Sequence, residues 1–417
     1  MDKKPKRMVP EVRFKGFTDD WEQRKLGEVT TSLKSYSLTR KYETIDTTGY
    51  KYIHYGDIHT GKAKKIDNPD KLPSIIKGNY FTLDNGDIVV ADASEDYQGI
   101  ADAAILLNKN MFSIVAGLHT IAFRPNNKLL SSLFAYYTLQ TSNFKHYGYR
   151  VGTGLKVFGI SNEAFFNYSS FYPTFMEQQI ISKLLNLVER LITLQQRKLK
   201  QLKQLKKAML QQLFVNDDSK LVPNTRFQGF VNNWKKGKLS ENIIEYKKKT
   251  TLNNQFPVLT SSRHGIFLQK EYYDGHQVAS KNNIGYNIVP FGYFTYRHMS
   301  DDNIFKFNIN ILVPYGIVST LYPVFSVKPN TNKYFVYYYL NYCNQMKRFA
   351  LIQKQGGSRT YMYLSKLKQL QFVAPSLPEQ TYVSDTLIQI DKILSVYKTM
   401  LNQLNTIKKF LLQKLFI

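Results

Sequence analysis

Val9-Pro-Glu-Val-Arg-Phe-Lys-Gly-Phe-Thr-Asp-Asp-Trp21 returns in mid-chain as Val222-Pro-Asn-Thr-Arg-Phe-Gln-Gly-Phe-Val-Asn-Asn-Trp234, at a constant offset of 222 − 9 = 213. Self-similarity of this kind constrains the fold more than any single residue, because both copies have to build the same local structure. The chain's two Trp residues, Trp21 and Trp234, occupy equivalent places in it. A second match joins Pro173-Thr-Phe-Met-Glu-Gln178 to Pro375-Ser-Leu-Pro-Glu-Gln380 and runs without a gap to Leu213-Phe214 and Leu415-Phe416, at an offset of 375 − 173 = 202. The second half is therefore shorter by 213 − 202 = 11 residues, all lost between the matched ends. Each half reads as a variable globular block followed by a constant tail.

Both tails have the pattern of long helices. Thr174-x-x-Glu177 and Ser376-x-x-Glu379 have the form of capping boxes, in which the Glu reaches back to the cap amide. Apolar residues then recur at Ile181, Leu184, Val188, Leu191, Leu202, Leu205, Met209 and Leu213, and at Leu387, Ile390, Leu394, Leu401, Leu404, Ile407, Leu411 and Leu415. These heptad-like spacings present a narrow seam that needs a partner, and the other tail is the nearest one. Two unrelated helices, each lying on its own domain, would be the alternative. Within the blocks, short β-rich runs such as Asp87-Ile-Val-Val-Ala91 precede aromatic helical stretches such as Phe134-Ala-Tyr-Tyr-Thr-Leu139. The expectation is an α+β chain of four segments: mixed α/β domains over 1–172 and 217–373, and long helices over 173–216 and 374–417 that pair as an antiparallel coiled coil.

Charge points to a polyanionic partner. The 57 Lys and Arg outnumber the 31 Asp and Glu, leaving a formal +26. Cys343 stands alone, which excludes an internal disulfide framework and any zinc site of paired thiolates. No apolar signal core follows the basic start, and no run of about 18 apolar residues occurs anywhere. A chain that stays in a reducing cytoplasm, without a membrane span, fits these features.

Catalytic signatures are missing where they would be sought. Gly56-Asp-Ile-His-Thr-Gly-Lys62-Ala63 has the spacing of a phosphate loop, but Ala63 stands where a magnesium-holding Ser or Thr belongs. Asn68-Pro69-Asp70 lacks the second proline of an amino-methyltransferase tetrapeptide, Glu245-Tyr-Lys247 lacks the paired carboxylates of a nuclease, and no two His are placed as metal ligands. The weight falls on binding.

The repeated Val-Pro-x-x-Arg-Phe-x-Gly-Phe-x-x-x-Trp opening, with its two Pro-x-x-x-Glu-Gln-led helices, resembles the specificity subunits of type I restriction-modification systems. The resemblance implies that each block recognises one half of a split double-stranded DNA target and that the helices set the gap between halves. It also implies assembly with two adenine-methyltransferase subunits and with motor-nuclease subunits. S-adenosylmethionine, ATP and magnesium are then expected on those partners, with no cofactor or metal on this chain, in a bacterial cytoplasm. A basic coiled-coil scaffold that binds nucleic acid without sequence preference is the competing reading. Loops that combine donors with glycine are candidates for base reading. Two matched segments qualify, with Tyr149, Arg150, Thr153 and Lys156 in one and Lys354, Gln355, Ser358 and Arg359 in the other. Arg263 is a weaker candidate, and solvated turns are the plain alternative for all of them. The basic series Arg197, Lys198, Lys200, Lys203, Lys206 and Lys207 would contact phosphate or a partner, or face water. Glu177, Gln178, Glu379 and Gln380 are the expected docking residues for partner subunits. The purified chain should show no methyltransferase, nuclease or ATPase activity in direct assays, and activity abolished by a point change within it would overturn this reading.

Overall fold

A computed structural model describes residues 8–96, 99–154, 157–215, 220–275, 279–353 and 359–417. The chain divides into two compact units, 1–196 with 399–417, and 197–398. The division cuts both long helices, Phe175–Leu213 and Leu377–Lys414, instead of falling at their ends, so the units differ from the four expected segments. None of the described helices is long and apolar enough to cross a membrane.

The first unit is built on a five-stranded sheet ordered Thr30–Leu33, Thr120–Pro125, Ile88–Ala91, Ala103–Leu106 and Lys65–Ile66. Its neighbours are antiparallel except the last pair. Ile88, Val89, Val90 and Ala91 are all buried, as a strand covered on both faces requires. The second unit has a four-stranded antiparallel sheet ordered Ile243–Glu245, Val324–Val327, Phe294–Thr295 and Asn308–Ile309, with Phe294 and Phe325 stacked at 4.8 Å.

Within each unit the two long helices run antiparallel. In the first, Ile181 and Leu185 share a core with Leu415 and Phe416, while further along Glu189 pairs with Lys408 at 2.5 Å. In the second, Val383 and Leu387 share a core with Leu213 and Phe214, and Asp391 pairs with Lys206 at 2.5 Å. Lys206 is thus turned inward, unlike the rest of the basic series. The buried stripe of the central helix runs Ile181, Leu185, Val188, Ile192. Leu191 and Leu205, assigned to the seam from spacing, are 41% and 48% exposed. Spacing set the period correctly but placed part of the stripe one residue off.

The repeated sequence builds repeated geometry. Trp21 meets Phe134 edge-on at 6.0 Å, and Trp234 meets Phe335 edge-on at 5.7 Å. Phe134 packs on Phe416 at 5.0 Å, and Phe335 on Phe214 at 4.9 Å. Each domain core is therefore completed by the aromatic end of the other half's helix.

The two repeated motifs interlock. Arg13 of the opening motif donates Nε and Nη2 to the two carboxylate oxygens of Glu177, each at 2.8 Å. Arg226 does the same to Glu379 at 2.7 Å and 2.7 Å, and Trp234 Nε1 adds a donor at 3.2 Å. Glu177 is 0% exposed and Glu379 1%. The pairing, Glu177 and Glu379 foremost, raises the two guanidinium pKa values. Gln178 accepts from Ser131 N at 2.9 Å and donates to the Pro173 carbonyl at 2.9 Å; Gln380 accepts from Asn332 N at 2.8 Å and donates to that of Pro375 at 2.9 Å.

Two expectations are corrected here. Half of the first capping box exists, since Glu177 N donates to Thr174 Oγ1 at 3.5 Å, but the carboxylate goes to Arg13. Glu177, Gln178, Glu379 and Gln380 are buried and bonded within their own units, so they tie each domain to its helix instead of docking a partner. Removing one member of a buried pair leaves an uncompensated charge, at a cost of about 3–5 kcal/mol. Arg226→Ala should destabilise the chain by about that amount in denaturant unfolding, whereas replacing both Arg226 and Glu379 by Met should recover most of the loss.

Candidate nucleic-acid interface

In the second unit the candidate residues gather around one acidic turn. Strand Met299–Ser300 pairs antiparallel with Thr360–Tyr361, which brings Asp301 beside Arg359. Arg359 donates Nε to Asp301 Oδ1 at 2.9 Å. Arg263 lies at the tip of the hairpin formed by Leu259–Ser262 and Gly265–Leu268, which is the turn placement expected of it. It donates Nη1 and Nη2 to the two oxygens of Asp302 at 2.7 and 2.6 Å. Ser300 Oγ and Ile304 N also donate to Asp302, at 2.8 and 3.2 Å. Arg263, and then Ser300, hold the Asp302 carboxyl at about 2. Exposed Tyr361 and Tyr363 stack on each other at 6.0 Å, and Tyr363 stacks on His298 at 5.1 Å. Lys354, Gln355 and Ser358 lie outside the described residues.

The first unit repeats the arrangement with other side chains. Ala93–Ser94 pairs antiparallel with Phe158–Gly159 and leads into Glu95 and Asp96. Thr153 exchanges backbone hydrogen bonds with Gly159, at 3.0 and 2.8 Å. Below the turn, His59 Nε2 contacts the Ala93 carbonyl at 2.8 Å, and Asp102 raises the His59 pKa. Tyr149 and Arg150 are exposed but belong to the helix Ser142–Val151, not to a loop. Thr141 starts that helix by accepting from Phe144 N at 3.3 Å, and Gly152 ends it. Arg150 lies 6.0 Å from the Tyr147 ring centre, and Lys156 is outside the described residues. At Gly154, with φ +126°, a Cβ would lie 1.9 Å from the Val157 carbonyl oxygen, so the chain's own turn requires a glycine there.

Comparisons with known proteins fall on one family. Residues 18–204 match the type I restriction modification DNA specificity domain. A putative type I restriction enzyme specificity subunit of Methanocaldococcus jannaschii is 29% identical over 93 residues, a stretch covering 22% of this chain and 22% of that protein. The crystal structure of a type I restriction-modification S subunit from M. genitalium superposes with a TM-score of 0.61 at 16% identity, covering 98% of this chain and 99% of its own. Residues 18–204 thus resemble a type I DNA specificity domain, and the chain shares the fold of the solved S subunit. A solved structure bearing on complex assembly and conformational transition of the type I R-M system shares the fold, with a TM-score of 0.51 at 14% identity over 96% of this chain and 98% of its own.

In this chain the element missed from sequence is the acidic turn. Asp92 to Asp96 looks like a poor neighbour for phosphate when read in isolation. Its signal is again a repeat: Ser94-Glu95-Asp96 recurs as Ser300-Asp301-Asp302 at an offset of 300 − 94 = 206, between the 213 and 202 of the flanking matches. The depressed Asp302 carboxyl gives a titration test. A group whose folded value lies below its ordinary 3.8 adds stability above that value and loses it as pH falls through about 2. The Arg263–Asp302 pair should thus persist throughout the neutral range. Carbon-detected NMR of Asp302 should show its midpoint at about 2 in the wild type, rising toward 3.8 in Arg263→Ala.

Proposed function

We propose that this chain is the non-catalytic, DNA-reading subunit of a type I restriction-modification enzyme, each domain recognising one half of an asymmetric bipartite double-stranded target. The observation that carries this reading is the contrast between frame and site. The frame is duplicated to within a few tenths of an ångström at Trp21–Phe134–Phe416 and Trp234–Phe335–Phe214. Strand register aligns Phe158 with Thr360, through their partners Ser94 and Ser300, and there the side chains diverge. Glu95 faces Asp301 in this alignment, Val157 faces Arg359, Gly159 faces Tyr361, and Ser161 faces Tyr363. A duplicated scaffold with unlike chemistry at one equivalent place suits unlike half-sites, as a repeat related by pseudo-two-fold symmetry would approach them. A scaffold binding DNA by charge alone has no use for that divergence.

In this reading the helices act as the spacer. The central one, of 39 residues, is about 58 Å long at 1.5 Å per residue, enough to hold half-sites about one DNA turn of 34 Å apart. Two adenine-methylating subunits dock on exposed apolar helix positions such as Leu187, Leu191 and Leu194, which a partner would cover. Motor-nuclease subunits complete the enzyme, and S-adenosylmethionine, ATP and magnesium act on the partners, in the bacterial cytoplasm. The test is a domain exchange. With residues 10–172 replaced by the block of a relative, sequencing of methylated adenines should reveal one changed half-site and one unchanged. A motif altered in both halves would overturn the assignment of one domain to one half.

A further inference from the structure

Arg263 and Arg359 flank the same turn, yet they are held by different edges. A guanidinium offers an end-on fork, Nη1 with Nη2, and a side that includes Nε. Asp302 takes the whole fork of Arg263, so that arginine is spent tying the hairpin tip to the turn. Asp301 takes Arg359 by Nε at 2.9 Å, which biases the guanidinium and leaves the Nη1–Nη2 end outside the hydrogen bond to that carboxylate. The stem is also held. The next residue, Thr360, is in the strand pair with Ser300, and its hydroxyl bonds to Asn303. The Arg359 side chain is 52% exposed.

We propose that Arg359 reads a guanine in the half-site of the second domain and that Asp301 is the positioning residue that presents it. This rests on the DNA-reading function proposed above. Guanine offers O6 and N7 as two adjacent acceptors in the major groove, which match an arginine fork; adenine puts an N6 donor in the place of O6 and repels it. The carboxylate favours a base over the backbone. Arg359 with Asp301 is a neutral pair, and Asp301, 61% exposed, would repel an approaching phosphate but not an uncharged base edge. An arginine already oriented also loses less side-chain freedom on binding. At the equivalent place in the first domain stands Val157, which has no donor, so the guanine preference belongs to one half only.

The experiment uses the chain assembled with its methylating subunits on a randomised target library, with methylated adenines sequenced at two salt concentrations. Arg359→Ala should lose about 10- to 100-fold discrimination at one G·C pair of one half-site, with every other position unchanged. Arg359→Lys should fail to restore it, because an ammonium lacks the planar fork. Asp301→Asn should relax the same pair by a smaller factor without changing the salt dependence. Both side chains are on the surface, and thermal melting of the three variants should match the wild type. The inference is overturned if Arg359→Ala weakens all sequences alike with a shallower salt dependence, the mark of a phosphate contact. It is equally overturned if Asp301→Asn raises affinity uniformly and leaves discrimination intact. A wild-type complex with no bipartite motif would defeat the DNA-reading function itself, whereas a wild-type motif untouched by Arg359→Ala would defeat this inference alone.

Discussion

The buried pair between Arg13 and Glu177, with its copy between Arg226 and Glu379, fixes what the rest of the molecule can do. A carboxylate at 0% or 1% exposure is tolerable only with a partner of matching geometry, and a bidentate guanidinium supplies it. The partner comes from the opening motif, so the start of each half is locked to the first turn of its own helix. The glutamine one residue on then bonds to the backbone before the domain's aromatic helix, at Ser131 or Asn332. Two adjacent side chains thereby set where the helix leaves the domain. A buried ion pair is a modest source of net stability but a strict judge of geometry, because a misregistered partner leaves a bare charge.

That interaction explains why the two motifs that are most recognisable in the sequence recur together: they are two sides of one contact. Their repetition was visible, but their contact was not, since Arg13 and Glu177 lie 164 positions apart. The local pattern offered a nearer role, capping, and the structure keeps only its hydroxyl half. The helices were legible because a heptad period is a local property, although the buried face came out one residue off at Leu191. Tyr149 and Arg150 were misplaced for a similar reason. Glycines at 152 and 154 suggested a loop, while Thr141 upstream had already nucleated a helix that runs to Val151.

The interface itself was half legible. Arg263 and Arg359 could be picked out by charge, but the acidic residues that sort them, Asp302 and Asp301, are 39 and 58 positions away and carry the sign that polyanion binding argues against. A carboxylate beside a reading arginine is an orienting group, a role that composition cannot reveal. A net charge of +26 describes attraction to polyanions in general, whereas discrimination among them depends on how individual cations are spent.

The exchange of helix ends between halves also shapes how the chain emerges from the ribosome. Phe214 is made before Phe335, so the second domain finds its closing aromatic already in place. Phe134 has to wait for Phe416, 416 − 134 = 282 residues later. At 5–20 residues per second, that is roughly 14 to 56 seconds with an apolar face uncovered. The N-terminal domain is synthesised first and completed last, with the Phe134 side of its core unsealed during that interval.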